Sequence, residues 1–153
     1  MEAVRLHQNM IYRVALHYFG VPQDAEDAVQ AVFLKLYTEK GSFDGPELRY
    51  WLLRVTLNYC RDILKSPWRK RRVSMDAISE PIFEQPEQLG LYREVMALPE
   101  KYRTVLHLHY YEDLPTKEIA SLLEISQTAV TTRLSRGRDL LKKRLGDLWN
   151  EES

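Results

Sequence analysis

Apolar residues in the first third of the chain return at helical intervals. Ala25, Val29, Val32, Phe33, Leu36 and Tyr37 follow one another mostly at three- and four-residue steps, leaving Glu26, Asp27, Gln30 and Lys35 on other faces, which is the pattern of an amphipathic helix. Pro22-Gln23-Asp24 separates it from an earlier helix ending near Phe19, and Asp24 stands where a capping side chain belongs. This second helix is predicted to end around Gly41. After a loop from Ser42 to Glu47, a long helix is predicted from about Leu48 to Lys65. Its early residues Leu48, Trp51, Leu52, Leu53 and Val55 are apolar round most of the circumference and should be buried, while its far end is basic.

The pattern then lapses. From Val73 to Gly90 the few apolar residues keep neither helical nor strand period, and Pro81, Pro86 and Gly90 punctuate the stretch. Beyond it, Leu98-Pro99-Glu100 opens a helix running to about Tyr111. Leu114-Pro115-Thr116 opens another, with Thr116 as its expected cap and Ile119, Ala120, Leu122 and Leu123 as its packing face. A turn, Glu124-Ile125-Ser126, leads into a third helix at Gln127, so the order is that of a helix-turn-helix. The expected fold is all-α. Two small helical bundles, 1–72 and 91–153, are joined by a flexible linker over 73–90, and the second bundle is the helix-turn-helix.

At about 100° per residue, Val130, Leu134, Gly137 and Leu141 fall on one stripe of that third helix, which must face the core. The opposite side is thereby fixed as Thr128, Thr131, Thr132, Ser135 and Arg136, with Arg133 and Arg138 on the flanks. Short hydroxyl side chains let a helix approach base edges, and Arg can pair bidentately with guanine. Arg136 is the first candidate for direct readout, and the flanking arginines suit phosphates. Lys142, Lys143 and Arg144 read either as further DNA contacts or as cations complementing a helix C-terminus.

Charge sharpens this picture only when its distribution is considered. The 22 basic and 22 acidic residues cancel, which taken alone argues against a nucleic-acid partner. Yet Arg61, Lys65, Arg69, Lys70, Arg71 and Arg72 stand against Asp62 alone, and Arg133, Arg136, Arg138, Lys142, Lys143 and Arg144 against Asp139 alone. The stretch between the two bundles inverts the sign, with Asp76, Glu80, Glu84 and Glu87 and no Lys or Arg. Two phosphate-facing surfaces joined by an acidic connector would be written this way.

Three stretches read in order carry a family resemblance. Asp24-Ala-Glu-Asp-Ala-Val-Gln-Ala-Val-Phe-Leu-Lys-Leu-Tyr37 resembles the region 2 helix of extracytoplasmic-function sigma factors that binds the clamp of the polymerase largest subunit. Trp51 to Lys65 resembles the family helix that engages the minus-ten promoter element. Leu98-Pro-Glu-Lys-Tyr-Arg-Thr-Val-Leu, followed by Lys117-Glu-Ile-Ala and Val130-Thr-Thr-Arg-Leu-Ser-Arg-Gly-Arg, is similar to region 4, which reads the minus-thirty-five element and docks on the polymerase flap.

The resemblance implies roles residue by residue. Asp24, Glu26, Asp27, Gln30, Phe33 and Lys35 would meet core RNA polymerase; dipole complementation at a helix N-terminus is the plainer reading of Asp24 and Glu26. Ser42, Phe43 and Asp44, in a loop that holds an unstacked base, would meet minus-ten DNA with Asn58, Arg61 and Lys65; a core role is the plainer reading of Phe43, as of Trp51. Thr116, Thr128, Thr131, Thr132, Arg133, Ser135 and Arg136 would meet minus-thirty-five DNA. The loop is a residue shorter than the common family version, and Gln127-Thr128-Ala129 replaces a frequent Glu-Gly-Thr, so the promoter sequence does not transfer. An anti-sigma factor is a further implied partner. The rival reading is an autonomous helix-turn-helix regulator.

Other chemistry finds little support. His107 and His109, two residues apart, fall on different faces of a helix, so no metal site is expected. Cys60 is expected as a small buried residue without a disulfide partner. No phosphate loop, dinucleotide turn or nucleophile elbow occurs, so no catalysis and no cofactor are expected. The apolar stretches are interrupted by charges and the first residues do not spell a secretory signal, so the expectation is a cytoplasmic protein, nucleoid-associated when bound to polymerase, without membrane insertion.

Overall fold

The computed structural model describes residues 2–39, 45–65 and 86–152, and every element among them is helical. The chain divides into two compact units, Met1–Glu80 and Pro81–Ser153. No helix among the described residues is long and apolar enough to cross a membrane.

The first unit packs three helices against one another: α1 (Glu2–Phe19), α2 (Pro22–Thr38) and α3 (Gly45–Leu64). Its centre is Ile11, Val14 and Ala15 from α1, Ala25, Ala28 and Val32 from α2, and Leu52, Leu53, Leu57 and Cys60 from α3. Thr56 is buried among them and its hydroxyl donates to the Leu52 carbonyl at 2.6 Å, so no polar atom is stranded there. Gly20 turns the chain between α1 and α2. Its φ of 76° lies in the left-handed region that glycine adopts without strain, and its N–H donates to Leu16 O at 2.7 Å.

Several boundaries differ from the sequence expectation. Val21, extended at φ −124° and ψ 116°, takes the flanking position of α2, and Pro22 starts the helix. Asp24 is therefore not its cap; it lies in the first turn and is buried, where the positive end of the helix favours a carboxylate. The helix stops at Thr38 rather than near Gly41, with Glu39 leaving in an extended conformation and the Thr38 hydroxyl donating to Lys35 O at 3.0 Å. Tyr37, expected in the packing stripe, is 90% exposed. One step of about 100° beyond Leu36 carries it off that stripe. α3 begins at Gly45, so Pro46 and Glu47 belong to its first turn rather than to the loop.

The second unit contains α4 (Pro86–Met96), α5 (Glu100–Leu106) continued by a wider π turn (His107–Tyr111), α6 (Thr116–Leu123) and α7 (Gln127–Glu152). α4 begins inside the stretch expected to be linker, with Pro86 in the first position, where its missing N–H costs nothing. The rest of that stretch lies outside the described residues. Leu98, Tyr102, Val105, Leu106, Leu108, Leu114, Ile119, Leu122, Val130 and Leu134 form the core. On the rim, Arg144 Nε–H of α7 donates to Glu94 Oε2 of α4 at 2.6 Å.

Two details set the helix-turn-helix. After α6, Glu124 adopts the left-handed conformation (φ 58°, ψ 42°) and the Ile125 N–H reaches back to Ala120 O at 3.1 Å, closing the helix in a Schellman-type turn. Ser126 then caps α7, its Oγ accepting from the Ala129 N–H at 3.0 Å. Thr116 is not a cap, contrary to expectation. Pro115, extended at φ −68° and ψ 156°, holds the flanking position of α6, and the Thr116 hydroxyl accepts instead from Gln127 Nε2 at 2.9 Å, tying the first residue of α6 to that of α7.

The Ser126 cap is expected to be worth about 1 kcal/mol. Ser126→Ala should lower the urea midpoint of the second unit accordingly and speed amide exchange at Ala129. Gly137 tests the packing of α7 on α5, because a Cβ there would stand 3.1 Å from Leu106 Cδ1 and 3.3 Å from Tyr102 Cβ. Alanine gains about 1 kcal/mol of helix propensity, but overpacking costs about 1–3 kcal/mol. Tyr102 Cβ is fixed to its backbone and cannot swing aside, so Gly137→Ala should lose roughly 1 kcal/mol net in the same denaturation experiment.

Candidate nucleic-acid interface

The geometry of α7 follows from what it buries. Val130 and Leu134 are 0% and 3% exposed and Gly137 is buried beside Leu106. Thr128, Thr131, Thr132, Ser135 and Arg136 all lie on the exposed side, and Arg133 is half-buried on one flank. The Thr131 hydroxyl donates to Thr128 O at 2.9 Å, which leaves its lone pairs to accept from a partner. Lys142, Lys143 and Arg144 are exposed, but α7 continues to Glu152. They therefore sit well before the last turn, and the helix-dipole explanation of these three residues fails, because that effect is confined to the last turn.

Arg138 and Arg144 are held differently. Arg144 meets the Glu94 carboxylate, whereas Arg138 Nη1–H donates to the Tyr110 hydroxyl at 2.6 Å. Tyr110 belongs to the π turn after α5, a segment in which sequence reasoning saw only an ordinary helix. In that turn His107 Nε2 lies 2.8 Å from Glu112 Oε2, both side chains nearly fully buried, and the ring of His107 stacks on Tyr111 at 5.2 Å. His109 Nδ1–H donates to Leu114 O at 2.9 Å. The two histidines thus serve separate local bonds, and no group of three metal-ligating side chains occurs among the described residues.

In the first unit, Asn58 and Arg61 are brought together. Arg61 Nη2–H donates to Asn58 Oδ1 at 2.5 Å, both residues being half-buried, and Lys65 is exposed one turn on. The mid-helix Asn therefore has an internal use as well as its expected external one. Ser42, Phe43 and Asp44 lie outside the described residues. Trp51, expected deep in the core, is only half-buried.

On α2, Glu26 and Gln30 are exposed while Asp27 and Phe33 are half-buried. Asp24, expected on the same exposed face, is buried at 5% exposure. Lys35 is exposed but stands about 140° round the helix from Gln30, so it does not share that face. Sequence reasoning missed Leu34 and Tyr37, 66% and 90% exposed, which continue the line of Glu26 and Gln30. Their displacement from the stripe of Ala25, Val29, Val32 and Leu36 was the available signal. Across the bundle, Tyr12 of α1 has its phenol pKa raised above 10.0, first by burial and then by the negative charge of Glu26.

Comparison with known proteins agrees with this layout. Residues 3–70 match the family described as Sigma-70 region 2, and residues 88–141 match Sigma-70, region 4. The ECF RNA polymerase sigma factor SigW of Bacillus subtilis is 28% identical, with 96% of this chain and 89% of the relative covered. The ECF RNA polymerase sigma-E factor of Escherichia coli K12 is 29% identical over 82% of this chain and 75% of its own length. Among solved structures, the fold resembles the sigma factor RpoE of Bartonella quintana, solved in complex with the anti-sigma factor NepR. That match has a TM-score of 0.79 and 18% identity over 95% of each chain. It also resembles CnrH, solved in complex with the cytosolic domain of CnrY, with a TM-score of 0.64 and 26% identity over 95% of this chain and 86% of the other. With region 2 in its first unit and region 4 in its second, the chain belongs to the sigma-70 family as an extracytoplasmic-function RNA polymerase sigma factor.

Proposed function

We propose that the chain binds core RNA polymerase through the outer face of α2 and directs initiation at promoters whose minus-ten element meets the first unit and whose minus-thirty-five element meets α7. The observation that carries the reading is the exposed row of Thr128, Thr131, Thr132, Ser135 and Arg136 opposite a buried stripe, on the second helix of a helix-turn-helix. Arg136 is the base-reading residue, and Arg133 and Arg138 serve the backbone. Thr116, bonded to Gln127, lies beside the start of α7 and completes this surface.

On α2, Glu26, Asp27 and Gln30 offer hydrogen-bonding groups, and Leu34 and Tyr37 add the apolar area that anchors a protein interface. Asp24 supports that helix from inside, and Phe33 and Lys35 flank the face. Asn58, Arg61 and Lys65 are the minus-ten contacts among the described residues, and Ser42, Phe43 and Asp44, assigned to the same element by resemblance, lie outside them. The role is one of recognition without catalysis, carried out in the cytoplasm. An anti-sigma factor is the proposed inhibitor, by analogy with the two structural neighbours solved with such partners.

Run-off transcription on a genomic library should give promoter-dependent initiation only when purified core polymerase and this chain are combined. Tight, twofold-symmetric operator binding by the chain alone, with no initiation, would establish an autonomous regulator instead. Arg136→Ala should reduce discrimination at one or two minus-thirty-five positions by about 1–3 kcal/mol while core binding is kept. Asp27→Ala combined with Gln30→Ala should weaken core binding on the order of tenfold in a pull-down or titration, with the helical circular dichroism signal retained.

A further inference from the structure

The geometry points to Tyr110 as a positioning residue that holds Arg138 ready for a DNA backbone phosphate. This inference rests on the DNA-facing role proposed for α7. Arg138 stands two turns beyond Thr131 and within about 20° of it round the helix, so it borders the polar row. Its Nη1–H donates to Tyr110 Oη at 2.6 Å across 28 residues of sequence.

The turn that carries the acceptor and the acceptor's ring are each restrained. The His107–Glu112 hydrogen bond, 2.8 Å long and nearly fully buried, closes the π turn. The His109 ring, anchored by its bond to Leu114 O, lies edge-on to Tyr110 with centroids 4.8 Å apart. Tyr110 is 54% exposed, but its ring is braced on one side by His109, and its hydroxyl restrains the longer Arg138 side chain.

The chemistry of the acceptor matters as much as its position. A carboxylate, as in Arg144–Glu94, cancels the charge of the arginine it holds. A neutral phenol restrains Arg138 and leaves its positive charge intact. It also occupies only one of about five guanidinium N–H donors, so the others remain for phosphate oxygens. Rotamer freedom already lost in the free chain is not lost again on docking, which favours binding. The ligand class is the phosphodiester backbone, not a base, because Arg138 lies on the flank rather than on the row that faces base edges.

A phosphate contact is independent of sequence, so the test uses the full chain and a mixed-sequence DNA duplex at low salt, titrated by fluorescence anisotropy over a series of salt concentrations. Arg138→Ala should weaken binding and reduce the logarithmic salt slope by about 0.9. Tyr110→Phe, which removes only the hydroxyl, should weaken binding by roughly threefold with the slope and the thermal melt unchanged. In the Arg138→Ala background Tyr110→Phe should do nothing further. Equal losses in both backgrounds would overturn the proposal, as would an unchanged slope in Arg138→Ala, an inert Tyr110→Phe, or no binding by the wild-type chain. The run-off assay bears separately on the sigma reading, so the two can fail independently.

Discussion

The burial of Val130, Leu134 and Gly137 against α5 and α6 governs what the second unit can present. A helix that must bury one narrow stripe has no freedom left to choose its outer face, since about 100° per residue fixes every other side chain. Gly137 makes the constraint tight, because it brings α7 so close to Tyr102 and Leu106 that a methyl group would crowd them. Rotation of α7 by even a part of a turn would put Leu134 into water or Arg136 into the core. The polar row therefore inherits its rigidity from packing, and the turn supplies its starting point: Glu124 in a left-handed conformation ends α6, and Ser126 starts α7.

The first unit shows the same dependence with a different outcome. Ala25, Ala28 and Val32 are small enough for α2 to lie close to α1 and α3, and their burial turns Glu26, Gln30, Leu34 and Tyr37 outward as a line. A solvated face would not ordinarily carry a leucine and a tyrosine two-thirds or more exposed beside hydrogen-bonding residues. Electrostatics also crosses the bundle. The charge of Glu26 reaches the half-buried Tyr12 phenol and helps to keep it protonated, so the acidic face is felt by the core behind it.

Helical periodicity made the all-α class and the buried stripe of α7 legible, because both depend on residue spacing alone. Features that depend on which of two side chains wins a position were not legible in this way. Asp24 and Pro22 compete for the start of α2, and Thr116 and Pro115 for the start of α6; in both, proline's fixed φ moves the boundary and the expected cap falls within the first turn. The π turn left no periodic trace, since one widened turn shifts the register of only a few residues. Tyr37 leaves the stripe because a four-residue step and a five-residue step differ by about 100° of rotation, and the burial of Ala25, Ala28, Val29 and Val32 decides between them.

The basic block of α7 had been a single quantity in the sequence, six cations against one acid. The structure resolves it into distinct fates along one helix. Arg136 is exposed on the outer row, Arg133 is half-buried, Arg144 is matched to a carboxylate, and Arg138 is matched to a phenol. These are not equivalent for a polyanion. Each cation that meets a phosphate releases condensed counterions, so its contribution depends on charge still being available when DNA arrives. Arg144 has already given its charge to Glu94 and contributes mainly to holding α4 on α7. Arg138 has been ordered without being neutralised, which is the better preparation for an anionic backbone. A net charge of zero is thus compatible with binding nucleic acid, because the sum runs over the chain, whereas a phosphate responds to the few cations near it whose charge no carboxylate has cancelled.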